Sequence, residues 1–176
     1  MIPRRLRGRP IPLILVSVLL LVLSRGPANA TGSTDVALIP LDIDLPSDST
    51  GSSEGTLALR VYTPIPGHAR HPEGAPVLIW LPGGFEGDKG LAHGLPAEAD
   101  GLIVITFVFP GARDPTSGRE SAGTYDYRGP NSILALRDVI LYAAGALTDD
   151  GGQAIDDLVP VSVMHENIGL IGVSNG

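Results

Sequence analysis

Ser174 is the residue in this chain whose type and setting point most directly to chemistry. It lies in Gly172-Val173-Ser174-Asn175-Gly176, at the end of the apolar run 167–174 (NIGLIGVS). A buried strand that breaks sharply after its last residue holds the next residue in a strained backbone conformation. Side chains two places before and after it would collide in so tight a bend, and Gly172 and Gly176 carry none. The bend then lifts the Ser174 hydroxyl out at the carboxyl end of a strand, the end at which open α/β sheets bind ligands. A serine presented in this way can attack a carbonyl carbon, which makes acyl transfer the expected chemistry.

Acyl transfer also needs preorganised N–H donors for the negative oxygen of its tetrahedral intermediate, and losing one donor costs about 3 kcal/mol of transition-state stabilisation. Residues 82–90 (PGGFEGDKG) form a glycine-rich loop after an apolar run. Gly83 and Gly84 let main-chain amides approach closely there, and the amide of Asn175, next to the serine, is the expected second donor. A dinucleotide site is a poorer reading of the same loop. Gly83, Gly84 and Gly87 do not follow the G-x-G-x-x-G spacing, and the next apolar run ends in VFPG without an acid.

The other polar residues read as structural. His68, His71, His93 and His165 all precede Ser174, and His165 is expected in a loop at the end of the sheet opposite the serine. Asp126 and Arg128 in YDYRG read as a structural ion pair or turn. Glu86 and Asp88 are expected to face solvent. Asp149, Asp150, Asp156 and Asp157 match no calcium-loop spacing and read as a solvated acidic loop. The chain has no cysteine, which excludes thiol catalysis and cysteine metal sites. No metal and no organic cofactor is expected.

The elements that must position Ser174 follow from the hydrophobic pattern. Ile39, Leu41, Ile43 and Leu45 alternate with polar residues and proline, and so do Leu57, Leu59 and Val61 in 56–64. A period of two marks half-buried strands. The polar stretch 46–55 joins them and is expected to bury nothing, so the two should pair antiparallel at a sheet edge. The runs 76–82, 102–110 and 167–174 are apolar almost throughout and rich in Val and Ile. Such strands belong to the middle of a parallel sheet covered by helices. The best helix is 131–147, with Ile133, Leu136, Ile140 and Ala144 forming its apolar face and Asn131 or Ser132 capping it after Pro130. The segment 93–100 is a poorer helix, interrupted by Gly94 and Pro96, and 148–160 is an acidic loop. These alternating elements describe an α/β layered fold.

The 176 residues have room for one domain. Before it, Arg4, Arg5, Arg7 and Arg9 precede the apolar run 11–23, and Ala28-Asn29-Ala30 follows. That is the layout of an export signal, so residues 1–30 are expected to be a signal peptide, with 31–176 the domain. The run of 13 residues is short against the roughly 20 of a membrane helix; kept uncleaved, it would be an N-terminal anchor. The expected location is secreted or periplasmic, with no stable membrane span after cleavage. Of the 12 basic residues five lie in 1–30, which leaves seven against 19 acids. So acidic a domain is repelled by nucleic acid and by anionic membranes. A hydrophobic content of 43% with 18% charged residues is that of an ordered globular domain.

With these residues in view, the chain resembles the N-terminal half of a secreted α/β-hydrolase over residues 36–176. WLPGGF (80–85) resembles the H-G-G-G-type oxyanion loop, with Pro82 where histidine is often found. YDYRGPNS (125–132) resembles the D-x-R-G-x-G-x-S segment of esterases and prolyl-oligopeptidase-like peptidases, with Asn131 at the second glycine position. ENIGLIGVSNG (166–176) resembles the strand and nucleophile elbow of the same enzymes. The resemblance implies a mostly parallel α/β-hydrolase-type sheet with an antiparallel N-terminal strand pair, truncated after the elbow. It makes Ser174 the nucleophile and Asn175 with Gly84 and Phe85 the oxyanion donors. In that family the acid and the histidine follow the serine, so the chain is expected to be a fragment, inactive by itself, with a sheet edge open to association. The implied substrate is a small-molecule ester; the alternatives are a peptide, or a noncatalytic protein of the same fold that binds a partner.

Overall fold

Alternation and apolar runs place five strands, and main-chain pairing assembles them into one sheet. The computed structural model describes residues 40–83, 90–93, 100–174 and 176, all within the compact unit Asp35–Gly176. The expected signal peptide, the segment 94–99, and Gly84, Phe85 and Asn175 lie outside the described residues. Strands β1 (Leu41–Pro46), β2 (Thr56–Tyr62), β3 (Ala75–Leu81), β4 (Ile103–Phe107) and β5 (Val163–Gly172) stand in the order β1-β2-β4-β3-β5. Helix α1 spans Pro130–Ala143 and α2 is the short Ile155–Leu158.

This sheet corrects the expected fold class. The α/β-hydrolase type implies a mostly parallel sheet under many helices. Here β1–β2 and β2–β4 pair antiparallel while β3–β4 and β3–β5 pair parallel. Two helices accompany the five strands, and the chain is 17% helical against 31% strand among the described residues. The antiparallel first pair and the parallel pairing of the three apolar runs are as expected, but the run 167–174, expected inside the sheet, forms the edge strand β5, in which no residue is fully buried. The physical reason is that apolar residues mark a strand without showing that both of its faces and both of its edges are covered. Loops supply burial that helices were expected to provide. Leu91, Val108, Phe109 and Ala112 all lie in the core outside any helix or strand.

Three further differences have local causes. The polar stretch 46–55 buries Ser47, Ser49 and Thr50. The Ser47 hydroxyl donates to the Asp138 carboxylate of α1 at 2.6 Å, and the Thr50 hydroxyl donates to Ser47 O at 2.8 Å. Polar side chains can enter the interior because each finds a partner there. The acidic stretch 148–160 contains α2, whose Ile155 is fully buried.

The third difference is the orientation of α1. Its inward face carries Ser132, Ala135, Asp138, Val139, Tyr142 and Ala143, while Ile133 is 65% exposed. Leu136 and Ile140 are only partly buried. The buried set still recurs at three- and four-residue steps, but it starts from Ser132, whose hydroxyl and amide are bound by Asp126. The helix ends after Ala143 in a Schellman arrangement. The amide of Gly145 (φ 71°) donates to Tyr142 O at 3.0 Å, and that of Ala146 to Leu141 O at 2.8 Å.

β5 is longer than its partner. Met164 pairs with Pro76 and Ile168 with Val77, so His165, Glu166 and Asn167 are extra residues in a bulge. Beyond the bulge the register is regular to Leu81–Gly172, so β3 and β5 end side by side. The assignment of the inward face predicts that Val139→Ala destabilises the domain by about 2 kcal/mol. Ile133→Ala should change stability by less than about 0.5 kcal/mol. Urea unfolding of the two variants reads the difference.

Candidate functional site at the ends of β3 and β5

Ser174 lies two residues beyond β5, exposed, with φ 58°. A non-glycine residue in the left-handed region is uncommon and strained. Two main-chain bonds hold the bend: Val173 N donates to Leu81 O at 3.2 Å, and Gly176 N to Val173 O at 2.9 Å. The bend is closed so tightly that its glycines have no room for side chains. A Cβ on Gly172 would collide with Gly176 O, and one on Gly176 would collide with Leu81 O and stand 2.9 Å from Val173 N. A Cβ on Gly83 would collide with Val173 O and stand 3.0 Å from the Ser174 Cβ. Gly83 therefore runs alongside Ser174. Gly84, Phe85 and Asn175, the expected oxyanion donors, lie outside the described residues.

The chain leaving β3 is tied on both sides of that stretch. Upstream, Arg128 Nη2 donates to Pro82 O at 2.7 Å. Downstream, the buried Leu91 accepts at its carbonyl from the Tyr62 hydroxyl at 2.8 Å and the Thr106 hydroxyl at 2.7 Å. The amide of Leu91 donates to the buried Asp114 carboxylate at 3.3 Å. Asp114 also accepts from the amides of Ser117 and Thr116 and from the Ser117 hydroxyl. Burial raises the pKa of Asp114, but these bonds outweigh it and hold the carboxyl below its usual range. This anchor was missed in the sequence; its signal was the turn sequence Asp114-Pro115-Thr116-Ser117-Gly118.

The YDYRG segment divides its work among neighbours. Asp126 starts α1: it accepts from the amides of Gly129, Asn131 and Ser132 and from the Ser132 hydroxyl, at 3.1, 2.6, 3.3 and 2.6 Å. It thus takes the capping role expected of Asn131 or Ser132. Burial raises the Asp126 pKa, and the bonds from Ser132, Asn131 and Gly129 more than offset it, which holds the carboxyl below the usual carboxylate range. Tyr127 and Arg128 follow with φ 55° and 71°. Arg128 turns inward, its Cζ 3.8 Å from the centroid of the Phe109 ring, and burial lowers its pKa against the opposing influence of Tyr125. Tyr127 is 72% exposed, its ring 5.2 Å from that of Tyr125.

The histidines are placed as follows. His165 lies within β5, in its bulge, rather than in a loop. Its Nδ1 donates to Ala143 O at 2.9 Å and its Nε2 stands 2.7 Å from the Asp156 carboxylate. It is level with Pro76 and Val77, which puts it about 20 Å along the strands from Gly83 at ~3.3 Å per residue, far outside hydrogen-bond reach of Ser174. His71 bridges to Gly74 ahead of β3, and the His68 amide donates to Ile65 O. His93 sets its ring edge-on against Tyr62, centroids 4.3 Å apart, and 6.4 Å from Trp80. Among the described residues no group of three or more His, Asp or Glu could hold a metal ion, and no helix is long and apolar enough to cross a membrane. No protein-family model and no curated protein matches the chain.

Two outcomes follow from this geometry. Gly172→Ala should cost on the order of 1–3 kcal/mol, because the methyl meets main chain that cannot yield; urea unfolding measures it. Asp126→Ala should cost about 1 kcal/mol at neutral pH by removing the cap. The folded carboxyl titrates below its ordinary value, so the stability it adds is complete above that value and disappears as pH falls through the lower folded one. The gap between wild type and Asp126→Ala should therefore be flat above about pH 5 and close in acid, as thermal unfolding across pH would show.

Proposed function

We propose that Ser174 is the nucleophile of a serine hydrolase that cleaves an ester through an acyl-enzyme. The observation that carries this reading is the conformation of Ser174: exposed, at φ 58°, at the end of a strand, with Gly83 alongside in a space that admits no side chain. Strain of this kind persists only where surrounding structure over-determines it, and it clusters at reactive sites.

In the proposed reaction the Ser174 oxygen bonds to the carbonyl carbon and its proton passes to a general base. The tetrahedral intermediate collapses, the carbon–oxygen bond to the alcohol breaks, and the alcohol leaves with a proton. Water then attacks the acyl-serine and releases the carboxylic acid. The proposal assigns the oxyanion to the amides of Asn175 and the Gly84–Phe85 region. His165 is not the base, because Ala143 and Asp156 occupy it far from Ser174. An ester is favoured over a peptide because an alcohol needs less help from a general acid than an amine does.

A fluorophosphonate probe followed by peptide mass spectrometry tests the assignment. Ser174 should take the label, and Ser174→Ala should remove it. Label spread evenly over other serines, or none on Ser174, would contradict the proposal.

A further inference from the structure

We infer that Arg128 is a positioning residue for the reaction at Ser174, clamping the Pro82–Gly83 main chain against the serine without touching substrate. This rests on the hydrolase reading of Ser174.

Three observations converge. The Arg128 guanidinium donates to Pro82 O at 2.7 Å. The residue after that carbonyl, Gly83, is the one packed beside Ser174 and Val173 O. One peptide unit therefore separates the clamp from the nucleophile's neighbour. Second, the guanidinium lies 3.8 Å from the centroid of Phe109, just past β4. Stacking fixes the plane of the group, so its donor is aimed and not merely nearby. The clamp spans the ends of two adjacent strands, β3 and β4.

Third, the backbone is bent to deliver this side chain. Tyr127 and Arg128 are consecutive non-glycine residues in the left-handed region, an arrangement the chain does not adopt without an opposing restraint. The start of α1 supplies that restraint, since Gly129 donates to the Asp126 carbonyl at 3.0 Å and to its carboxylate at 3.1 Å. Capping α1 does not require Arg128, because Asp126 performs it. The reach of Arg128 to Pro82 is a separate task.

The account ties the rate of reaction at Ser174 to the guanidinium, because a small misplacement of the loop slows chemistry more than it weakens binding. The test compares wild type, Arg128→Gln and Arg128→Lys for the rate of fluorophosphonate labelling at Ser174 and for hydrogen exchange at the Val173 amide, which bonds to Leu81 O. Arg128→Gln should slow labelling by roughly 10-fold or more. It should speed Val173 exchange by a similar factor, about 10-fold, while the Val139 amide is unchanged. Added guanidinium ion should restore part of the labelling rate. Arg128→Lys, which keeps the charge and should fold if the Gln variant does not, should label roughly 3- to 10-fold more slowly than wild type, because it cannot stack and donate in one plane.

Labelling and Val173 exchange at wild-type levels in either folded variant would overturn the inference and leave the hydrolase reading standing. Absence of label on wild-type Ser174 would overturn both.

Discussion

Main chains meet at the ends of β3 and β5 at distances that no side chain would allow, and the presentation of Ser174 depends on that approach. Gly172, Gly176 and Gly83 each face main-chain atoms where a Cβ would have to stand. The constraint is steric and local, but it can be met only if two strand ends arrive together. The parallel register of Leu81 with Gly172 brings them there. The bulge at His165–Asn167 takes up three residues of β5 without disturbing that register. Ser174, a non-glycine residue held at φ 58°, bears a conformational cost in the bend.

The surrounding structure reads as a set of ties on the chain that leaves β3. Arg128 holds it at Pro82, and Tyr62, Thr106 and Asp114 hold it again at Leu91. The donors and acceptors come from β2, β4 and the loops following β4, so the region near the serine is fixed by the whole sheet and not by the bend alone. Buried polar groups of this kind are acceptable because each is partnered. They give the sheet ends a single geometry, which apolar contacts by themselves specify less sharply.

Much of this was legible in the residues. Alternation at Ile43, Leu45, Leu57, Leu59 and Val61 and the apolar runs around Ile79 and Ile105 located four strands because burial imprints itself on residue type; the run around Ile168 located β5 through its apolar residues although none of that strand is fully buried. The steric need for Gly172 and Gly176 was legible for the same reason: it follows from what a tight bend excludes. The directions were legible too: the alternating strands pair antiparallel at an edge and the three apolar runs pair parallel. The place of β5 at the other edge was not, since apolar residues do not report which strand lacks a neighbour, and the mixed sheet with its two helices overturned the helix-rich architecture that the resemblance implied. The inward face of α1 was misjudged because Ala135 and Ser132 carry little hydrophobic signal although they are buried. The buried Ser47 and Ser49 and the anchor at Asp114 were invisible for a related reason. Their partners lie far off in sequence or in turns, and a polar residue shows no sign of its partner until the chain is folded.

Solution NMR of the 176-residue chain tests the central claim most directly, by reading the backbone angle of Ser174 from three-bond couplings together with the nuclear Overhauser contact between the Gly83 α-protons and the Ser174 β-protons. A positive φ near 58° with a strong contact to Gly83 is the result this account predicts. An extended φ at Ser174, with no contact to Gly83, would contradict it.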